Sequence, residues 1–345
     1  MTKVFSDIIQ FRGNHYDFGY MQGELLKDSK LLKRRKSQKE SRWRHYLFDE
    51  NEVRLAFAHF APAIWDEIHG LADALSIEMT DAIREFGGYY YEYGRSGCSI
   101  FTDSRYMIRN YDNAPHTYEG RYLLYQPTDL GYAVIGPSMQ ITGRTDGLNE
   151  KGLVMGYNFV NRIKSDDGFL CNMIGRIVLE TCANVEEAIS LLKEIPHRHS
   201  FSYVLLDQTG KSVVAEVSPR NVTIRQANIC TNHFEELTDE NRYQMDDSLR
   251  RQETMNKLQA NLTEPYHAYQ MLNDTDKDIF SKKYSAFSGT LHTAAYLPKE
   301  MKAWFALGGD RPPLIFDFSK WLNGEKLHAT RIKGELDSTD NFINH

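Results

Sequence analysis

The chain has 345 residues, enough for a large buried core in one domain or two, and 41% apolar with 26% charged residues is the balance of a soluble globular protein. Its net charge of −6 leaves no global basic field for nucleic acid, and no stretch approaches the roughly 20 apolar residues of a membrane span. The opening M-T-K-V-F-S-D-I-I-Q-F-R-G lacks the apolar run of a secretory signal, which predicts a cytoplasmic protein, and cysteines 98, 171, 182 and 230 without C-x-x-C pairing predict neither zinc nor disulfides.

In chain order, a short strand-like D7-I-I-Q-F11 precedes a helix from Tyr16 to Lys27. The basic run Lys27 to Arg44 carries apolar residues at helical spacing and reads as a solvated helix face, with an anion-steering patch as the other reading. Glu50 to Leu75 is amphipathic, interrupted by Pro62 and Gly70. A further helix is predicted from Ile77 to Tyr93, ending in Tyr89, Tyr90, Tyr91 and Tyr93, which suit core packing or a pocket lining. Near residue 97 the pattern changes to strands, predicted at 98–103, 105–111, 122–125, 132–135, 139–142 and 153–160. Strands at 201–207 and 212–217 flank the hairpin turn Q-T-G-K, and helices are expected at 172–182, 185–195 and 247–262. Two late strands, 291–296 and 302–307, close the series. Elements arrive in blocks, without strict β-α-β alternation, which predicts an α+β protein with antiparallel sheets under helices. No glycine pattern of a dinucleotide or phosphate loop is present, and no cofactor is expected.

Chemistry concentrates around R95-S-G-C-S-I100. A free thiol is only roughly 3% ionised at pH 7, so a nucleophilic Cys98 needs a base. A histidine such as His116, His233 or His292 would make the site papain-like. A cut between Gly97 and Cys98 would instead set a free α-amine beside its own thiol, able to take the thiol proton. The glycine leaves room for attack on its own carbonyl. On the next strand, I108-R-N-Y-D112 returns Arg109 and Asp112 toward the cysteine, the first to lower the thiol pKa and the second to orient the amine; a surface ion pair is the other reading. Asn158, ending the strand after D146-G-L-N-E-K-G, and Asn232, in I229-C-T-N-H-F234, suit an oxyanion hole or the satisfaction of loop backbone.

G-C-S, R-N-Y-D, D-G-L-N-E-K-G with Y-N-F, and C-T-N-H-F occur in the order found in linear-amide C–N hydrolases. The chain therefore resembles the choloylglycine hydrolase and penicillin V acylase superfamily of N-terminal nucleophile (Ntn) hydrolases. F11-R-G-N-H-Y-D-F-G-Y-M-Q-G-E24 and W65-D-E-I-H-G-L-A-D-A-L75 resemble the prosegment of the branch with acyl-CoA:6-aminopenicillanate acyltransferase, peptidase family C45. The resemblance implies a four-layer αββα sandwich and a precursor that cleaves itself before Cys98. Residues 1–97 would form a mainly helical prosegment or small subunit and 98–345 the catalytic region. Cys98 would be nucleophile and base, Arg109 and Asp112 the pair that positions thiol and amine, and Asn158 and Asn232 the oxyanion hole. The family's later arginine falls in S248-L-R-R251, where Arg250 and Arg251 both qualify and Arg251 is preferred. Cys171 and Cys182 read as packing residues, and Cys230 lacks a preceding glycine. The implied activity is cleavage of an N-acylated small molecule through a thioester. The alternatives are transfer of the acyl group, from acyl-CoA for instance, to an amine, and an unprocessed binding protein. A homo-oligomer is compatible with the sequence, which does not name the substrate.

Overall fold

Strands whose residues alternate in character build two sheets, and each apolar side chain joins the core on its own side. The computed structural model describes residues 1–37, 48–90, 97–160, 164–241, 246–286, 288–340 and 342. Among these, the larger sheet has ten strands. Its main path runs Val222–Arg225, Ser212–Val217, Phe201–Leu206, Val154–Phe159, Asp146–Asn149, Val134–Met139, Arg121–Pro127, Thr2–Gly13 and Arg331–Leu336. The smaller, of seven strands, runs Ile229–Cys230, Cys98–Asp103, Tyr106–Asn113, Ser288–Leu297, Lys302–Leu307 and Leu314–Asp317. The short strands Gly143–Arg144 and Lys282–Lys283 attach beside these paths. Thr2–Gly13 pairs in parallel with Arg121–Pro127, and the other pairings between the strands named here are antiparallel.

Three apolar clusters follow from the alternation. One joins residues of both sheets, including Tyr122, Leu124 and Val204 of the larger with Ile100, Met107 and Tyr296 of the smaller. A second sets Leu123, Tyr125 and Met155 of the larger sheet against helices within residues 15–86 and 171–194. The third sets Phe101 and Ile108 of the smaller sheet against Met255, Tyr269 and Leu272 from the helices Asp246–Leu258 and Pro265–Asn273. Neighbours along one strand thus go to opposite sides, Ile100 to the first cluster and Phe101 to the third.

The N-terminal helices owe their packing to glycine. His15–Leu26, capped by the Asn14 side chain, lies against Pro62–Leu75, whose first residue is the proline that suits a helix start. A Cβ on Gly19 would strike the Glu67 carbonyl, and one on Gly70 the Tyr16 carbonyl, so the two backbones touch. The glycines of Y-D-F-G-Y-M-Q-G and I-H-G-L are therefore packing residues.

Several expectations are revised. The predicted segment 50–75 is two helices, Glu50–Phe60 and Pro62–Leu75, broken at the proline, while Gly70 interrupts nothing. The expected strand 7–11 is longer, because Ser6 and Asp7 mask the alternation of its first half. The expected helix 77–93 spans only Met79–Phe86 and ends where Gly88 takes φ +58°. Tyr89 and Tyr90 then pack in the helical-side core, and both hydroxyls donate to Glu52. Tyr91 and Tyr93 lie outside the described residues. The strand expected at 139–142 does not form: Val134–Met139 ends there, and Gln140 and Ile141 have φ of 61° and 69°, held where Glu119 accepts the Ile141 N–H at 3.1 Å. Of the basic run, Lys30–Ser37 is helical and 38–44 lies outside the described residues.

Candidate active site

Cys98 opens its strand with its side chain between the two sheets, only 1% exposed. The tight connection to Tyr106–Asn113 sets Cys98 opposite Tyr111 and carries Arg109 back to it. Arg109 Nη2 lies 3.7 Å from Cys98 Sγ and donates to the Tyr157 carbonyl at 2.5 Å, while Nη1 pairs with Asp146. The Tyr111 and Tyr157 rings, 4.9 and 5.2 Å from the guanidinium carbon, close its faces. Burial pushes the Cys98 thiol up to about 11, against the pull of Arg109, so at neutral pH the sulfur holds its proton until a base removes it.

The backbone of Cys98 is held as firmly. Its nitrogen donates to Asn232 Oδ1 at 2.7 Å, and its carbonyl accepts from Arg251 Nη1 at 2.6 Å. Arg251 also donates to Ser99 Oγ (2.7 Å) and Asn232 Oδ1 (2.8 Å), with Nε paired to Asp247 at 2.9 Å. Asn232 is fixed in turn by its N–H on Ser248 Oγ (2.7 Å) and its Nδ2 on the Phe159 carbonyl (2.8 Å). Arg250, 44% exposed, turns outward to the Asp278 carbonyl and Asp247.

Asp112 faces the residue before the cysteine. Its Oδ1 accepts from Thr290 Oγ1 at 2.7 Å, and Oδ2 has no hydrogen-bond partner among the described residues. A Cβ built on Gly97 would stand 3.5 Å from that Oδ2 and 3.7 Å from Arg251 Nη2. Burial pushes the Asp112 carboxyl up to about 7, opposed by Arg251 and the Thr290 hydroxyl. Asn158 ties the sheets together: its Nδ2 donates to the carbonyls of Cys230 (2.9 Å) and Thr231 (3.2 Å).

Cys98, Gly97, Arg109, Asp112, Asn232 and Arg251 are thus gathered in one place, with Asn158 one residue-pair away through Thr231. Sequence reasoning missed Asp146, Ser99, Ser248 and Thr290. Of these, Ser248 had a readable signal, standing three residues before Arg251 on one helix face. None of the three histidines hydrogen-bonds Cys98 among the described residues. His292 sits between Asp146 and Tyr118, His233 meets Ser248 Oγ at 2.8 Å, and His116 is half-buried in the 115–117 turn. Cys230, facing Thr231 O at 3.6 Å, Cys171 and Cys182 are buried free thiols. Among the described residues no group of three or more His, Cys, Asp or Glu could hold a metal ion, and no helix is long and apolar enough to cross a membrane.

Residues 101–312 match the profile of the family described as acyl-coenzyme A:6-aminopenicillanic acid acyl-transferase. Among solved structures, the chain is similar to penicillin V acylase from Agrobacterium tumefaciens, at 18% identity over 65% of this chain and 86% of that one, TM-score 0.45. A mutant of conjugated bile acid hydrolase from Clostridium perfringens matches at 16% identity over 71% and 99%, TM-score 0.47. The Caenorhabditis elegans ortholog of N-acylethanolamine-hydrolyzing acid amidase matches at 11% identity over 59% and 93%, TM-score 0.40. The chain has no match among curated proteins.

Proposed function

Because the chain belongs to the acyl-coenzyme A:6-aminopenicillanic acid acyl-transferase family, we propose that it is a self-processed cysteine amidohydrolase of the Ntn class, acting on the linear amide bond of an N-acylated small molecule. The observation that carries this reading is the double hold on Cys98: sulfur beside Arg109 at 3.7 Å, main-chain nitrogen on Asn232 at 2.7 Å. An ordinary buried cysteine needs neither. The three apolar clusters support an αββα layering, with residues 1–97 as prosegment and 98–345 as catalytic region.

In processing, Cys98 Sγ attacks the Gly97 carbonyl carbon, the C–N bond breaks, and the nitrogen takes up the thiol proton. Water then hydrolyses the thioester, leaving a Gly97 carboxylate, a free thiol and an α-amine. Asp112 Oδ2, without a hydrogen-bond partner among the described residues and facing Gly97, is placed to hold a proton during this exchange, and afterwards to accept from the amine with Asn232 Oδ1. In turnover the amine receives the thiol proton, the sulfur attacks the substrate carbonyl, and the proton passes to the departing amine. The developing oxyanion is assigned to Asn232 and Asn158, whose Nδ2 groups exchange main-chain carbonyls for it. Arg251 holds the Cys98 carbonyl and the Asn232 amide in register.

Intact-protein mass spectrometry tests the proposal. Cleavage yields pieces of roughly 11 and 29 kDa from the 40.0 kDa chain, in proportion to residue number, and Cys98→Ala stays whole. Fully active enzyme with an unbroken 97–98 bond would overturn it. The family description favours a second reading, in which an amine rather than water takes the acyl group. Incubation with an acyl-CoA and a free amine separates the two, amide formation marking the transferase.

A further inference from the structure

We propose that Asp146 is a positioning residue: it anchors Arg109 beside the Cys98 sulfur, and its fixed negative charge sets how strongly the guanidinium acts there. This rests on Cys98 being the nucleophile. Arg109 belongs to the smaller sheet and Asp146 to the larger, so their ion pair spans the interior, both side chains 0% exposed. Four donors converge on the carboxylate. Arg109 Nη1, Thr145 Oγ1 at 2.9 Å and His292 Nε2 at 3.4 Å share Oδ2, and the Tyr296 hydroxyl takes Oδ1. A carboxylate only accepts, which puts the His292 proton on Nε2; its Nδ1 then accepts from the Tyr118 hydroxyl at 2.9 Å. The His292 ring stacks on Tyr111 at 5.1 Å, the same tyrosine that covers Arg109 and pairs with Cys98. Arg109 and its donors hold the Asp146 carboxyl well below the usual range, despite burial, so it stays charged.

Asp146 therefore has two effects of opposite sign on the sulfur. As an anchor it keeps the Arg109 charge near, which favours thiolate; as a negative charge beyond Arg109 it disfavours thiolate. Among the described residues Asp112 and Arg251 also act on the sulfur, and a change at 146 leaves them in place. Asparagine separates the two effects. Its Oδ1 can take the three donors now on Oδ2, and its Nδ2 can donate to the Tyr296 oxygen, which turns from donor to acceptor. Position is kept and charge is lost.

The test is the titration of Cys98 by its 13Cβ resonance in cysteine-labelled protein, in preparations matched for the state of the 97–98 bond. Arg109 Nη2 stands 3.7 Å from the sulfur and its Nη1 pairs with Asp146, so the carboxylate lies a guanidinium's width further out; a unit charge roughly 6–9 Å away at an effective dielectric of 20 moves a pKa by about one to two units. Asp146→Asn should lower the Cys98 midpoint by that amount. The Arg109→Met, Asp146→Asn double variant carries no unpaired buried charge and keeps the test available if the single variant does not fold; its midpoint should rise above that of the parent. An unchanged midpoint in either folded variant overturns the proposal. The readout needs no turnover, so loss of the amidase reading would show separately, as an uncut active chain.

Discussion

Asp112→Asn should make the protein more stable, and only above about pH 5. The folded carboxyl is pushed up to about 7 by burial, from 3.8 when unfolded. With the folded pKa the higher, the native state binds more protons than the unfolded state across this window. Stability from Asp112 is therefore fully present below pH 4 and is lost as pH rises toward 7. A rise from 3.8 to about 7 amounts to about 4 kcal/mol by pH 8. Asparagine lacks the titration, so its advantage over aspartate should be about 4 kcal/mol larger at pH 8 than at pH 4. Urea unfolding read by fluorescence at both pH values measures this, in a Cys98→Ala background that keeps the chain in one piece. His15, raised, and His233, lowered, also shift on folding, but they are common to both proteins and cancel in the difference. The same substitution should slow processing, since the group facing Gly97 is then no base. Equal pH dependence in the two proteins would mean that Asp112 titrates in the fold as it does unfolded, and the reasoning from its burial would fail.

Three further outcomes are expected. Asn232→Ala should reduce turnover roughly 100- to 1000-fold, the usual cost of an oxyanion donor; a rate near that of the parent would remove Asn232 from the chemistry. Arg251→Lys should slow processing at least tenfold, because one ammonium cannot serve Cys98 O, Ser99, Asn232 and Asp247 together, while Arg250→Ala should process at the parent rate; mass spectrometry over time compares the two. Gly70→Ala, which drives a Cβ into the Tyr16 carbonyl, should cost about 1–3 kcal/mol in urea unfolding, and a neutral result would deny the backbone contact of the two helices.

The strands after residue 97 were legible because alternation is local: each records its two faces within a few residues, as Ile100 and Phe101 do. Turns held by distant groups were not. Gln140 and Ile141 read as strand, and distant groups such as Glu119, which accepts from Ile141, and the Phe86 carbonyl, which accepts from Thr142, bend them out of it. The site divides in the same way. Arg109 reaches Cys98 across a hairpin whose register the sequence implies. Asn232 and Arg251, 134 and 153 residues away, are brought in by packing that no spacing records. One long-range choice did have a local mark. On the helix Asp246–Leu258 the buried residues are Ser248, Arg251 and Met255, a helical repeat that excludes Arg250. Asp146 had none, because its partner lies on the other sheet.

The place of Thr2–Gly13 sets an order of assembly. Among the described strands this one is made before the rest, yet one of its neighbours is Arg331–Leu336, with Thr2 opposite Leu336 and Asp7 opposite Arg331. One flank of that segment stays bare until the chain has been made as far as residue 336, a long wait for a row of amides and carbonyls open to strangers. Loss of Arg331–Leu336 would leave that flank bare for good, inviting strand exchange between molecules at an edge of the larger sheet.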